Sequence, residues 1–238
     1  MPSVMGIDIY YIVLVVPTLL LSLWAQFLVK STFAKYSKIS CSRQMTGVDS
    51  AALLLKSHSI NDVKIEAVGG SLTDHYSPGD KKLRLSEPVY GSTSIAAVGV
   101  AAHEAGHAIQ HATRWGPLAM RSTLVPVANI GSSLGPWIAI AGLAIQESES
   151  YSAFSSLLFT IGILLFSGAV LFYVITLPVE FNASARALTL LRSNNALTEP
   201  ELKGVKKVLT AAALTYVASA LTAIMSLIRL ILISRRRR

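Results

Sequence analysis

The stretch 153–179 reads AFSSLLFTIGILLFSGAVLFYVITLPV and carries no charge until Glu180 follows it. A helix needs about 20 mostly apolar residues to cross the hydrocarbon of a bilayer. This run is long enough and apolar on every face, as a membrane span requires. Three further stretches read the same way: 9–29, closed by Lys30; 122–145, punctuated by Gly131, Gly135 and Pro136; and 208–233, with Arg229 near its end. Proline and glycine are tolerated in membrane helices, so the second stretch is read as a span too. The first has no basic residues before it, too long an apolar run and no small-x-small cleavage site. It therefore reads as a retained anchor and not a cleaved signal.

The whole composition agrees. Of 238 residues, 52% are hydrophobic and 14% charged, with a mean hydropathy of +0.53. Soluble domains carry roughly 25% charged residues, which argues against a single soluble globule. The formal charge is +8, and four positive charges sit in the terminal run 235–238. The remainder is only mildly basic, so an anionic membrane surface is the expected partner and nucleic acid is not. A lone Cys41 excludes an internal disulfide and any multi-cysteine metal site. One membrane unit spanning 1–238 is the expected organisation.

Basic residues set the orientation. Lys30, Lys35, Lys38 and Arg43 follow the first span, and Arg114 and Arg121 precede the second. The loop 146–150 has no positive charge, whereas Arg186, Arg192, Lys203, Lys206 and Lys207 follow the third span. The positive-inside rule then places the long insert 31–117 and the loop after the third span in the cytoplasm. The arginine tail disagrees: either the last helix does not cross fully, or the tail breaks the rule.

The insert reads as a small α+β unit. A short helix begins near Asp49 or Ser50, and Val63–Val68 alternates as a half-buried strand. Ser77-Pro78-Gly79-Asp80 marks a turn between His75-Tyr76 and Leu83-Arg84-Leu85, which predicts a hairpin. The alanine-rich stretch from Ser94 to about Trp115 predicts a helix.

That helix carries His103-Glu104-Ala105-Gly106-His107. Positions i and i+4 share one helical face, about 6 Å apart, so both imidazoles can reach one ion. Zinc accepts histidine nitrogens, and a catalytic site keeps a position for water. Glu104 is placed to take a proton from that water. Two histidines need a third protein ligand. His111 continues the stripe, but a straight helix puts it about 12 Å from His103. It reads as a residue that supports the site or faces solvent. Glu180 is the better candidate, because the helix with the histidines leads into the second span and Glu180 leaves the third. An acid at the edge of a span is costly unless partnered, and a metal is a good partner. The plainer reading pairs Glu180 with Arg186. Glu66 and Glu87 remain as alternative ligands. Glu147 and Glu149 fall on the opposite membrane face, and Glu199 and Glu201 suit a helix N-terminus.

Thr73–Pro78, Leu83–Ser86, Ala101–His111 and Leu177–Ser184 together resemble the putative neutral zinc metallopeptidase family of bacterial multi-pass membrane proteins, the YugP-like proteins. The resemblance covers nearly the whole chain. It implies a membrane-embedded zinc peptidase, with His103 and His107 as ligands, Glu104 as base and Glu180 where glutamate-zincins supply a third ligand. Those enzymes often hold an aspartate four residues after that glutamate, against a ligand histidine. Ser184 stands there in this chain, with Asn182 nearby.

Other residues carry plainer readings. His75 and Tyr76 are weighed as oxyanion donors but read better as a turn cap and a half-buried aromatic. Leu83–Ser86 suits either an added peptide strand or ordinary sheet pairing. Arg229 and the arginine tail read as anchors to anionic head groups. Asn182-Ala183-Ser184 is a glycosylation sequon made idle by a cytoplasmic placement.

The expected fold is thus mainly α, a multi-pass helical membrane protein of about four transmembrane helices. A small α+β, zincin-like insert carries the H-E-x-x-H helix. The expected function is a zinc-dependent endopeptidase in the cell membrane, its active site on the cytoplasmic side, with the lipid bilayer and a polypeptide substrate as partners. The alternative is a non-catalytic membrane scaffold that retains a structural metal site.

Overall fold

A computed structural model describes residues 8–145 and 152–237. The protein is mostly helical with one small sheet. After a π-helical turn, Tyr11–Val15, come α1 (Val16–Tyr36) and α2 (Gly47–Ser57). Strands β1 (Lys64–Val68), β2 (His75–Ser77) and β3 (Lys82–Ser86) follow, then α3 (Glu87–Tyr90) and α4 (Ile95–Ala112). Three long helices complete the chain: α5 (Gly116–Ile145), α6 (Ser152–Ser193) and α7 (Glu199–Arg237). Four helices are long and apolar enough to cross a membrane, Tyr11–Tyr36, Gly116–Ile145, Ala153–Ser193 and Glu199–Arg236. Each runs past the apolar stretch read from sequence, because a helix needs only backbone bonds and continues into polar residues once begun. The loop carrying Glu147 and Glu149, and Arg238 of the tail, lie outside the described residues.

The chain forms two compact units. One holds residues up to Trp24, Met120–Leu177, and those from Thr215 onward. Its surface displays large apolar side chains, among them Leu20, Leu23, Ile130, Leu134, Trp137 and Leu164. Exposed apolar area on that scale is costly in water and suits contact with lipid. Inside, α5 and α6 pack with little between them. A Cβ on Gly131 would fall 2.1 Å from the Leu165 carbonyl oxygen, and one on Gly162 2.3 Å from the Ala139 nitrogen. Lipid tails are as apolar as leucine, so helices associate in a bilayer through such close backbone approach and buried polar contacts. Ser155 adds one, donating to the Gly142 carbonyl at 2.9 Å.

Arg229 is placed differently from its expected role as a lipid anchor. Its Nε donates to the buried Asp8 carboxylate at 2.9 Å, and its guanidinium lies 5.1 Å from the Tyr11 ring centroid. An intramembrane charge is held best by an opposite one, and Asp8 meets that need inside the protein.

The other unit holds Ala25–Ala119 with Pro178–Leu214, so the insert is completed by the nearby ends of α6 and α7. Thr46 caps α2 in a reciprocal box with Asp49, one turn earlier than the cap read from sequence. The sheet has the order β1-β3-β2, with β1 parallel to β3 and β2 antiparallel to it. The predicted hairpin is therefore present. Leu83–Ser86 is the central strand, with both edges already paired, so an added peptide strand has no place on it.

Helix α4 is the centre of this unit. Ser94 caps its start, accepting from the Ala97 nitrogen. Its alanines at positions 96, 97, 101, 102, 105 and 108 are all buried. Such small side chains let neighbours approach from several sides at once, and Leu54, Leu83, Leu85, Val89, Leu191 and Val205 fill the surrounding core.

The α5–α6 contact yields a direct test. Gly162→Val forces the two helices apart and should destabilise by about 1–3 kcal/mol, the usual cost of overpacking. Thermal unfolding in detergent should show a lowered midpoint. Gly116→Ala, which meets open space, should leave it unchanged.

Candidate metal centre

The pair His103 and His107 sits one turn apart on α4, ring centroids 4.7 Å apart and nearly perpendicular at 85°. Facing them from α6 is Glu180, only 2% exposed. Its Oε2 lies 3.2 Å from His103 Nε2 and 3.5 Å from His107 Nε2. Ligand atoms of all three residues fall within 4.8 Å of one another.

One glycine makes that approach possible. A Cβ on Gly106 would stand 2.7 Å from the Ala183 carbonyl oxygen. Only a residue without a side chain lets the backbones of α4 and α6 come so close. Two turns earlier along α4, a Cβ on Gly99 would stand 2.8 Å from Val205. The helix is thus held against α6 and α7 at fixed depth.

The far ring nitrogens are held too. His107 Nδ1 lies 3.0 Å from Oε1 of the fully buried Gln110. Gln110 Nε2 donates to the Val179 carbonyl at 2.8 Å and to Asn182 Oδ1 at 3.0 Å. Those two acceptors fix which end of the amide is which, so its oxygen faces His107 and receives the Nδ1 proton. The Nε2 lone pair of a neutral ring then points toward Glu180. His103 Nδ1 lies 3.1 Å from Ser184 Oγ. Ser184, one turn after Glu180 on α6, thereby partners the outer nitrogen of His103. Arg186 donates to Asn182 at 2.8 Å, so it supports this network through Asn182. Gln110 and Asn182 were not singled out by sequence reasoning as parts of one network. The available signal was a lone glutamine three residues after His107 in an otherwise small and apolar stripe.

Does this donor set suit zinc? Four ligands at about 2.0–2.1 Å around a tetrahedral ion lie about 3.3–3.4 Å from one another. The two nitrogen–oxygen separations of 3.2 and 3.5 Å bracket that edge. Without a cation, a carboxylate facing two imidazole lone pairs is repulsive, and only protons or a metal relieve it. Two nitrogens and one oxygen are ordinary zinc donors, and each histidine has the outer hydrogen bond that zinc ligands normally make.

Burial by itself would lower the pKa of His107, but the hydrogen bond to Glu180 and the charges of Glu104 and Glu180 outweigh it. The pKa stands above the ordinary histidine value. Glu104, next to His103, is also buried, and its charge is felt at His107.

The remaining candidates lie elsewhere. His111 Nδ1 is 2.8 Å from the Tyr76 hydroxyl and joins α4 to β2. Burial, with the charge of Asp62, pushes Tyr76 up to about 12, so it stays a neutral phenol. His75 contacts the Thr73 carbonyl at 2.8 Å and Arg84 at 3.3 Å on the surface. Glu66 pairs with Lys82 at 2.8 Å, and Glu87 starts α3. Glu199 pairs with Arg192, and Glu201 caps the start of α7 by accepting from the Thr198 nitrogen.

Residues 11–235 match the family described as putative neutral zinc metallopeptidase. The chain belongs to this family. It is 46% identical over 223 residues to the putative membrane protease YugP of Bacillus subtilis (strain 168), covering 94% of this chain and 96% of that one. No solved structure matches. For a member of a zinc peptidase family, the His103, His107 and Glu180 cluster is the possible metal site among the described residues.

Two outcomes follow. Gln110→Leu removes the acceptor for His107 and the donor to the Val179 carbonyl and to Asn182. Zinc affinity, read by chelator competition, should fall roughly 10–100-fold, as for other lost outer hydrogen bonds. Zinc also needs the deprotonated ring. With the folded pKa of His107 raised, the zinc-free protein gains stability below the unfolded value and loses it as pH rises through the folded one. Zinc affinity should therefore drop as pH falls below that folded pKa. Calorimetry in buffers of different ionisation enthalpy should show protons released on binding.

Proposed function

We propose that this protein is a membrane-embedded, zinc-dependent endopeptidase of the zincin type. One observation carries the reading. Two histidines of α4 meet a glutamate 77 residues from His103 at separations of 3.2 and 3.5 Å, the spacing of tetrahedral zinc ligands. His103, His107 and Glu180 hold the ion. Zinc bound there supplies Lewis-acid polarisation of the scissile carbonyl and acidifies water at its open position.

The chain's own groups do the rest. Glu104 takes the proton of the attacking water as its oxygen bonds to the carbonyl carbon. It returns that proton to the amine as the carbon–nitrogen bond breaks. Gln110 holds His107 in the tautomer that keeps Nε2 free for the metal, and the Ser184 hydroxyl partners the other ring nitrogen of His103. The basic residues flanking the spans support a cytoplasmic location for this site. Substrates are then membrane or membrane-proximal polypeptides, since Glu180 lies on a helix that is itself long and apolar enough to cross a membrane.

Zinc content and peptide hydrolysis, measured together in detergent, test this reading. Wild type should hold about one zinc and cleave an unstructured polypeptide. Glu104→Gln should keep the zinc and lose at least about 100-fold in turnover, the usual contribution of a general base. Glu180→Ala and His107→Ala should lose both. Zinc retained in Glu180→Ala would remove Glu180 from the ligand set. Full biological activity in Glu104→Gln would favour the non-catalytic scaffold.

A further inference from the structure

A second feature of the same compact unit lies away from the metal cluster. A pocket of about 590 Å³ opens between the end of α1 and the start of α7. Its size falls in the range of small-molecule sites. Lys35, Lys203, Lys206 and Lys207 line it, with Thr32 and Thr210. Leu28, Tyr36 and Ala211 form its apolar wall.

The four lysines are exposed, and together they give the mouth of the pocket a positive potential that attracts an anion. The nearby acids make their close contacts with other groups, although the charge of Lys203 is felt at Glu199. Glu199 binds Arg192 at 2.7 Å, and Glu201 accepts from Ser42 at 2.6 Å and Thr198 at 2.7 Å. Among the described residues none of the four lysines forms an ion pair with a carboxylate. Lys35 instead lies 5.7 Å from the centroid of the Tyr36 ring.

The lining is also ordered along the helices. On α1 the apolar Leu28 precedes Lys35, on the side of the apolar stretch 9–29. On α7 the apolar Ala211 follows Lys207, on the side of the apolar stretch 208–233. Both helices therefore present cations at the polar end and apolar surface toward the hydrocarbon. A free anion has no use for the apolar half. A molecule with a charged phosphate and a hydrocarbon tail uses both.

We propose that this pocket binds one anionic phospholipid, its phosphate among Lys35, Lys203, Lys206 and Lys207 and its acyl chain along Leu28 and Ala211. The inference is independent of the peptidase reading, since no metal ligand lines the pocket.

Native mass spectrometry of the detergent-purified full chain, with phosphatidylglycerol and phosphatidylcholine in equal amounts, tests it. Wild type should retain one phosphatidylglycerol in preference to phosphatidylcholine. Each neutralised lysine should weaken that binding roughly fivefold, so Lys203→Gln/Lys206→Gln/Lys207→Gln together should weaken it roughly 100-fold. Replacing the same three by arginine should keep it. Lys30→Gln/Lys38→Gln, equally basic neighbours outside the pocket, should change it less than about twofold. Ala211→Leu, which fills the apolar wall and leaves every charge, should also weaken retention and serves if the glutamine variant does not fold. Inorganic phosphate at millimolar concentration should not displace the lipid. Equal retention of the two lipids, equal loss from the Lys30/Lys38 variant, or displacement by phosphate would overturn the proposal.

Discussion

The contact between Gly106 and Ala183 sets the geometry on which the metal cluster depends. Residues that supply the cluster come from two helices far apart in sequence, and their ligand atoms must meet within a few ångströms. A side chain on Gly106 would overlap a backbone oxygen, which cannot rotate away as a flexible side chain can. The missing Cβ therefore determines how near Glu180 comes to His103 and His107. The same approach brings Ser184 to His103 and lets Gln110 reach the backbone of α6 at Val179. One absent methyl group thus aligns four polar contacts.

Those contacts explain how a cluster of ionisable groups survives burial. A buried carboxylate is tolerated only when its charge is answered, and buried amides only when every donor and acceptor is used. Gln110 meets this condition with three partners, and its orientation decides where the His107 proton sits. The network extends through Asn182 to Arg186, a cation at the outer end of a chain that begins at the histidines. Serine in place of an aspartate beside His103 leaves that ring with a neutral partner. Glu180 is then the carboxylate of the three-residue cluster.

Charged groups within the apolar helices follow the same rule. Asp8 and Arg229 answer each other, whereas Glu180 against the two imidazoles is answered only by protons or a metal. The lysines around the α1–α7 pocket are exposed, and among the described residues none of them forms an ion pair with a carboxylate.

Much of this protein was legible in its sequence. Apolar length alone marks four helices, because a bilayer imposes one minimum span on any chain. The turn at Ser77–Asp80 and the alanine-rich run around His103 marked the hairpin and α4, since turn chemistry and helix propensity act over a few residues. The i, i+4 spacing joined His103 to His107 for the same local reason. Glu180 needed one non-local step, the pairing of a helix that enters one span with a residue that leaves the next. What lay beyond sequence was decided by packing. Gln110 looked like any polar residue on a small-residue helix until α6 supplied its acceptors. Arg229 looked like a lipid anchor until Asp8, far away in the chain, was found against it. Strand order could not be read, because β3 pairs on both sides and each partner is chosen by tertiary contact. Local rules fix which groups share a face, whereas only the close approach of distant backbones decides which faces meet.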